Sequence, residues 1–299
     1  MTVGRFAPSP TGVLHLGNLR TAMASWLSAR AAGGRWLIRM EDVDGPRCHR
    51  DLGAAQLRDL SALGLDSDEP LIWQSERGDG YHAVLEALHR VGSLYPCACT
   101  RKDLQALASA PHLEDGLRPY PGRCRGRAWE GFDRALRLGL PKGSVAWEDR
   151  VLGLQQDDPA TLTGDPLLFR RDGCFAYHLA VVVDDGDQGV TEVVRGGDLR
   201  AVTATQIRLQ EALGLPRPAY AHLGMVLGPD GGRLGKRAGV LGLEALAARG
   251  VGTAEVLGWL GWSLGCLEEP RPCRVAELVA GFAWNRVPKG NLRVPEAWA

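Results

Sequence analysis

Over residues 1–95 the apolar positions follow two different periods, and the period switches repeatedly. Residues 3–7 form a short apolar run that predicts a strand. It stops at Pro8-Ser9-Pro10-Thr11-Gly12, where two prolines and a glycine block both helix and ladder. Across 15–32 apolar residues return at helical spacing, at Leu16, Leu19, Met23, Trp26 and Leu27, until Gly33-Gly34 ends the run. Residues 35–40 predict a second strand, 49–63 a helix, 71–73 a strand and 78–91 a helix. Alternation of this kind argues for a parallel α/β sheet.

The periodicity weakens between about 95 and 166, where cysteines and arginines cluster, and this predicts an inserted subdomain. The apolar run 175–183 then predicts a strand covered on both faces. Residues 189–195 predict another strand and 201–213 a helix. Beyond 239 the chain reads as helical, most clearly at 241–249 and 254–264. The predicted organisation is a Rossmann-like core in two halves, 1–95 and 166–238. Residues 96–165 are inserted between them, and a helical subdomain, 239–299, has Leu257, Trp259, Leu260 and Trp262 feeding its core.

Composition narrows the partners. The 299 residues are 45% hydrophobic and 23% charged, as in a globular protein with a sizeable core. Lys+Arg and Asp+Glu both number 35, so a nucleic-acid partner must be met by a local basic patch and not by a global field. No run approaches the roughly 18 apolar residues of a membrane span, and no apolar leader follows Met1. The expectation is a cytoplasmic protein with no membrane contact and no obligate protein partner. Seven cysteines, an odd number, argue against a disulfide framework.

Residues 5–18, RFAPSPTGVLHLGN, carry the chemistry. A strand ends, a rigid loop follows, and a helix opens. Its N-terminus offers N–H groups and a positive dipole end to a phosphate. Gly17 lets a base or ribose approach the backbone, and His15 can donate to a phosphate oxygen as charge develops. This segment resembles the signature of class I aminoacyl-tRNA synthetases of the glutamyl and glutaminyl subgroup, with His15-Leu16-Gly17-Asn18 in the position of the HIGH tetrad. Far downstream, Arg233-Leu234-Gly235-Lys236-Arg237 follows a Gly-Pro-Asp-Gly-Gly turn and resembles the KMSKS loop. Gly235 replaces the usual serine. By the resemblance, Lys236 supports the triphosphate in the transition state, and His15, Gly17, Asn18, Leu234, Gly235 and Lys236 meet Mg-ATP. The resemblance also implies the class I synthetase core as the fold.

A glutamate substrate needs cations for two carboxylates and an anion for its ammonium. Arg5, Arg195 and Glu41 each end a predicted strand, where open α/β sheets bind ligands. Residues 39–47 resemble the RIEDTDxxR stretch of glutamyl enzymes. The resemblance implies a glutamate site of Arg5, Phe6, Ala7, Pro8, Ser9, Glu41, Tyr177 and Arg195. Glu41, Asp42 and Asp44 could instead form a solvated loop or hold Mg²⁺; Glu41 is favoured as the substrate ligand. Val181 stands where longer glutamyl enzymes often carry Asn.

Cys97, Cys99 and Cys124 are good zinc ligands within one small insertion. Tyr120 and His112 are candidates for the fourth. The Tyr-x-x-x-Cys spacing of Tyr120 and Cys124 resembles the short glutamyl-Q tRNA(Asp) synthetases and implies Tyr120, in a structural site. Only residues 238–299 follow the KMSKS-like loop, too few for the anticodon-binding domain of a full glutamyl enzyme as well. Length and cysteines together therefore match the glutamyl-Q family, whose members transfer glutamate to queuosine at the wobble position of tRNA(Asp). That implies glutamate, ATP and a queuosine-containing anticodon loop as partners, and adenylation that does not require tRNA. Two alternatives are a truncated synthetase that charges the tRNA 3′ end and a silent RNA-binding paralogue.

Overall fold

The computed structural model describes residues 1–100, 103, 119–128, 131–232, 234 and 241–298. Arg233, Gly235, Lys236, Arg237 and His112 lie outside the described residues. The strands are β1 (Val3–Phe6), β2 (Arg35–Met40), β3 (Ile72–Trp73), β4 (Leu94–Cys97), β5 (Ala135–Leu138), β6 (Val145–Asp149), β7 (Gly153–Asp157), β8 (Leu167–Phe169), β9 (Glu192–Gly196), β10 (Ala219–Leu223), β11 (Val226–Leu227) and β12 (Leu292–Arg293). The helices are α1 (Leu16–Ala31), α2 (Arg50–Ala62), α3 (Gly78–Arg90), α4 (Pro159–Leu162), α5 (Tyr177–Asp187), α6 (Thr203–Leu213), α7 (Leu243–Ala247) and α8 (Thr253–Ser263).

The main sheet has the order β3-β2-β1-β9-β10-β6-β7. Every neighbouring pair from β3 to β6 is parallel, and β7 closes the edge as the antiparallel arm of a hairpin. The chain winds outward from β1 through β2 to β3, then returns to β1's other side at β9. That reversal opens a crevice beyond the carboxyl ends of β1 and β9, the usual ligand position of such sheets. The side-chain period of two separates the faces. Val194, Ala221 and Leu223 join the large core under α1 and α8, while Val193 and Tyr220 pack with Ala204 and Ile207 of α6 on the other side.

The run 175–183 is not a strand. It is the front of helix α5, buried from Leu179 to Asp185. A continuous apolar run looks the same to either element when both are covered on all sides. The helix continues past the run to Asp187, and Asp184 and Asp185 near its end turn inward to Arg77, Arg5 and Arg39. A second difference lies in 96–165. The hairpin β6–β7 falls there yet extends the main sheet, with Tyr220 of β10 opposite Asp149. Its residues V-A-W-E-D alternate buried and exposed in the sheet, although the sequence of the segment is only weakly periodic. The small antiparallel sheet β4-β5-β8 carries the cysteine region and packs in a core of its own with α3 and α5.

The aromatic positions of α8 do not make a separate core. Leu257, Trp259 and Leu260 are buried in the same cluster as α1 and β2, and Trp262 packs against it. Arg20 fastens this union. It is fully buried and donates from Nε to Ser263 Oγ at 3.2 Å, and from its terminal nitrogens to the carbonyls of Ser263 and Gly224 at 2.9 Å each. Burial pulls its pKa down to about 10, which still leaves it charged at neutral pH. The guanidinium therefore complements the carbonyl end of α8.

Candidate active site

The crevice at the carboxyl ends of β1 and β9 holds a cavity of about 650 Å³. Arg5, Phe6, Ala7, Pro8 and Ser9 line it together with Glu41, Tyr177 and Arg195. His15, Gly17 and Asn18 from the start of α1, with Leu234, also face it. The structure thus brings together every described residue that the sequence proposed for glutamate and ATP. Gly235 and Lys236 lie outside the described residues.

Local contacts explain these positions. The loop between β1 and α1 is tied down by Gln56, a buried residue of α2 whose Nε2 donates to the carbonyls of Ser9 at 3.1 Å and Gly12 at 2.7 Å. His15 caps α1. Its Nδ1 accepts the N–H of Asn18 at 3.2 Å, and Asn18 Oδ1 accepts the N–H of His15 at 3.1 Å. Burial holds the His15 pKa below its ordinary value, against the opposing charge of Asp198. A neutral ring whose Nδ1 accepts must carry its proton on Nε2. Two N–H groups of the helix start are already engaged, Asn18 by His15 and Leu16 by the carbonyl of Leu241 at 3.1 Å. The terminus is therefore less open to a phosphate than the sequence suggested. Gly17 has a further reason as well: a Cβ there would stand 2.9 Å from Cε1 of the His15 ring.

The cations differ in how far they are neutralised. Arg5 is buried and pairs with both oxygens of Asp185, at 3.2 and 3.3 Å. Arg39, wholly buried behind it, donates to Asp185 at 2.8 Å, to Gln188 at 2.7 Å and to Glu41 at 3.3 Å. Burial raises the Glu41 pKa, and the charges of Arg39 and Arg5 oppose that rise. Among the described residues Arg195 donates only to neutral acceptors: His222 Nε2 at 3.0 Å, Gln206 Oε1 at 2.6 Å and Thr203 Oγ1 at 2.8 Å. Tyr177 opens α5 and is half-buried beside these charges, and burial raises its phenol pKa. Asp42 serves the fold, accepting the Ser75 N–H at 2.8 Å and its hydroxyl at 2.6 Å. Asp44 pairs with Arg47 and Arg170. Val181 is buried inside α5, one turn from Tyr177.

The chain matches the family described as tRNA synthetases class I (E and Q), catalytic domain, over residues 1–290. It belongs to that family. A glutamyl-Q tRNA(Asp) synthetase of Symbiobacterium thermophilum is 44% identical over 312 aligned positions, covering 99% of this chain and 96% of the relative. Another, of Leptothrix cholodnii, is 49% identical over 251 positions, with 81% and 84% coverage. Among solved structures, this class I synthetase chain is similar to a glutamate tRNA ligase of Elizabethkingia meningosepticum in complex with its amino acid. The TM-score is 0.81 at 25% identity, covering 98% of this chain and 67% of that one. The fold is accordingly the α/β class I synthetase fold with a mostly parallel sheet.

The synthetase's cysteine cluster lies apart, where β4 leaves the small sheet. The Sγ atoms of Cys97, Cys99 and Cys124 lie within 4.8 Å of one another. Cys99 and Cys124 are 3.7 Å apart, and the Tyr120 hydroxyl is 3.5 Å from Cys97 Sγ and 3.6 Å from Cys99 Sγ. Tyr120 Oη accepts the N–H of Cys124 at 3.0 Å, and the Arg137 guanidinium lies over its ring at 3.9 Å. A tetrahedral ion with metal–sulfur bonds of about 2.3 Å and a metal–oxygen bond of about 2.0 Å gives ligand–ligand edges of roughly 3.5–3.8 Å. The edges of 3.5, 3.6 and 3.7 Å among Tyr120, Cys97, Cys99 and Cys124 fit that geometry.

Sequence reading missed several wall residues. Asp198 sits close enough to His15 to influence its charge. Gln56 and the Asp149–His222 pair behind Arg195 act across the fold, and no local pattern marks them. Among the described residues, no helix is long and apolar enough to cross a membrane.

Proposed function

We propose that this chain activates glutamate with ATP, without needing tRNA, and passes the glutamyl group to the queuosine cyclopentenediol at the wobble position of tRNA(Asp). The observation that carries the first half is the cavity at the sheet's switch point, where Arg195, Arg5, Glu41 and Tyr177 meet the capped start of α1. Arg195 and Arg5 take the carboxylates of glutamate, and Glu41 takes its ammonium. Phe6, Ala7, Pro8 and Ser9 shape the wall. His15, Gly17, Asn18, Leu234, Gly235 and Lys236 hold Mg-ATP, with His15 and Lys236 meeting the charge that develops on the phosphates. The likeness to glutamyl-Q tRNA(Asp) synthetases, at 44% and 49% identity, supports the second half. Exposed arginines near the cysteine cluster, Arg123 and Arg127, suit phosphate contacts with an anticodon loop. The cytoplasm supplies both ATP and tRNA and is the proposed compartment.

The test uses labelled glutamate, ATP and tRNA(Asp) with or without queuosine. Pyrophosphate exchange is expected without tRNA. Label is expected on the modified base, only in queuosine-containing tRNA, with transfer falling steeply as salt rises. Glutamate esterified to the 3′-terminal ribose would overturn the acceptor.

Zinc is the metal proposed for Cys97, Cys99, Cys124 and Tyr120, in a structural role, because no cavity residue proposed for glutamate or ATP belongs to the cluster. Protein purified without chelator is expected to carry one zinc per chain by elemental analysis. Cys99→Ser should lose metal and destabilise the small sheet, since thiolate sites fold with their ion. Tyr120→Phe should weaken the site while keeping the ring under Arg137. A zinc content near zero in the unaltered protein would remove the assignment.

A further inference from the structure

Arg195 is held in an unusual way for a buried cation. Among the described residues no carboxylate lies within ion-pair distance of it, whereas Arg5 and Arg39 both meet Asp185 directly. The nearest carboxylate in its hydrogen-bonded network is one residue removed. Asp149 Oδ2 lies 2.5 Å from His222 Nδ1, and His222 Nε2 lies 3.0 Å from Arg195 Nε. The three residues come from adjacent strands β6, β10 and β9, and His222 stands directly opposite Arg195 in the sheet register. Asp149, His222 and Arg195 are all buried.

We infer that Asp149 and His222 are positioning residues for glutamate recognition, fixing the Arg195 fork while keeping a neutral ring between its charge and Asp149. The inference rests on the reading of Arg195 as a ligand of a substrate carboxylate. Hydrogen-bond direction supports it. Asp149 Oδ1 accepts the backbone N–H groups of Val151 at 3.0 Å, Leu152 at 2.9 Å and His222 at 3.3 Å. That leaves Oδ2 for the imidazole. A carboxylate can only accept, so His222 Nδ1 carries the proton and Nε2 presents a lone pair to the Arg195 Nε–H. Thr203 Oγ1 accepts from Arg195 and lies 3.2 Å from the same Nε2, within reach to donate to it. A guanidinium has five N–H donors. Three are engaged by His222, Gln206 and Thr203, so among the described residues two remain without an acceptor on a residue that lines the cavity. An arginine whose charge is unpaired and whose fork is locked is prepared for a carboxylate.

Asp149→Asn tests this at one atom. The three backbone donors hold the amide oxygen at the Oδ1 position, so its NH₂ faces His222 Nδ1. The ring must then place its proton on Nε2, donor against donor with Arg195 Nε. Pyrophosphate exchange on the full chain should give a glutamate KM raised about tenfold or more, with the ATP KM within about twofold of the original. A merely structural role would move both together, or lower the melting temperature with neither changed. Arg195→Lys is the control for the underlying reading and should also raise the glutamate KM. If Arg195→Lys raises it and Asp149→Asn leaves it within about twofold, the relay is overturned and the carboxylate site stands. If neither raises it, the reading of Arg195 has failed and takes the relay with it. Should Asp149→Asn fail to fold, His222→Gln, which keeps an acceptor for Arg195, is compared with His222→Leu, which does not. A lower glutamate KM in the glutamine variant supports the relay, and equal values overturn it.

Discussion

Arg39→Met is expected to cost about 3–5 kcal/mol of folding stability, the range for removing one partner of a buried ion cluster. Arg39 is wholly buried at the end of β2, and three carboxylates converge on it. Asp185 is 2.8 Å away, Glu41 is 3.3 Å, and Asp184 is 3.7 Å from Nε. Asp184 keeps other partners, since Gln74 and Tyr81 donate to it at 2.7 Å and Arg77 at 2.5 Å. Asp185 keeps Arg5. The Glu41 carboxylate loses the only group that donates to it among the described residues, so its pKa, already raised by burial, should rise further. The sign follows. A folded-state pKa above the unfolded value near 4.5 means the folded state binds the extra proton. The variant's deficit should therefore shrink as pH falls toward that value and grow as pH rises through the folded pKa. Urea unfolding at two pH values measures both effects. A loss under about 1 kcal/mol would mean that the cluster is not strongly coupled. The same variant should bind glutamate more weakly, because a Glu41 carboxyl that ionises less readily attracts an ammonium less strongly.

What the sequence made legible follows from how locally each feature is specified. The strand–loop–helix at 5–18 is written in adjacent residues, and it folds as read, with His15 capping α1. Arg5, Glu41 and Arg195 were found because each ends a strand, and parallel sheets gather strand ends on one side. Helix α5 was misread because Val181, Val182 and Val183 favour strand by type and are covered on all sides. What decides for helix is tertiary: Asp184 and Asp185 must both reach arginines, Arg5 of β1 and Arg39 of β2, both buried, and Arg77 in the turn before α3. Consecutive strand residues would point to opposite faces. The Asp149–His222–Arg195 chain was beyond reach for another reason. Its members are far apart in sequence and meet only when β6 joins the main sheet beside β10, a pairing that the weak patterning of 96–165 concealed.

His15→Ala should lower the adenylation rate by roughly 10²–10³, the effect of removing one donor aimed at developing charge. The geometry says which donor it is. Nδ1 accepts from Asn18 N–H, so Nε2–H is the free end of the ring, on the wall of the cavity. Alanine also removes a helix cap, worth about 1 kcal/mol, so a slow variant could simply have a frayed α1. His15→Asn separates the two. Asparagine is a good N-cap and can accept from the Asn18 N–H, but it has no donor at the position of Nε2. It should keep stability near the original and lose the rate. Acid adds an independent check. Burial lowers the His15 pKa from 6.5, so the folded ring stays neutral at pH values where the unfolded ring is already protonated. The cap's contribution is full above 6.5 and is lost as pH falls through that window toward the folded pKa. Protonation puts a hydrogen on Nδ1 and turns its acceptor into a donor facing Asn18 N–H. The acid limb of the rate should therefore lie below 6.5 in the original protein and be absent from the residual activity of His15→Asn. An asparagine variant that exchanges pyrophosphate at the original rate would show that His15 only caps α1, and that the charge on the phosphates is met elsewhere.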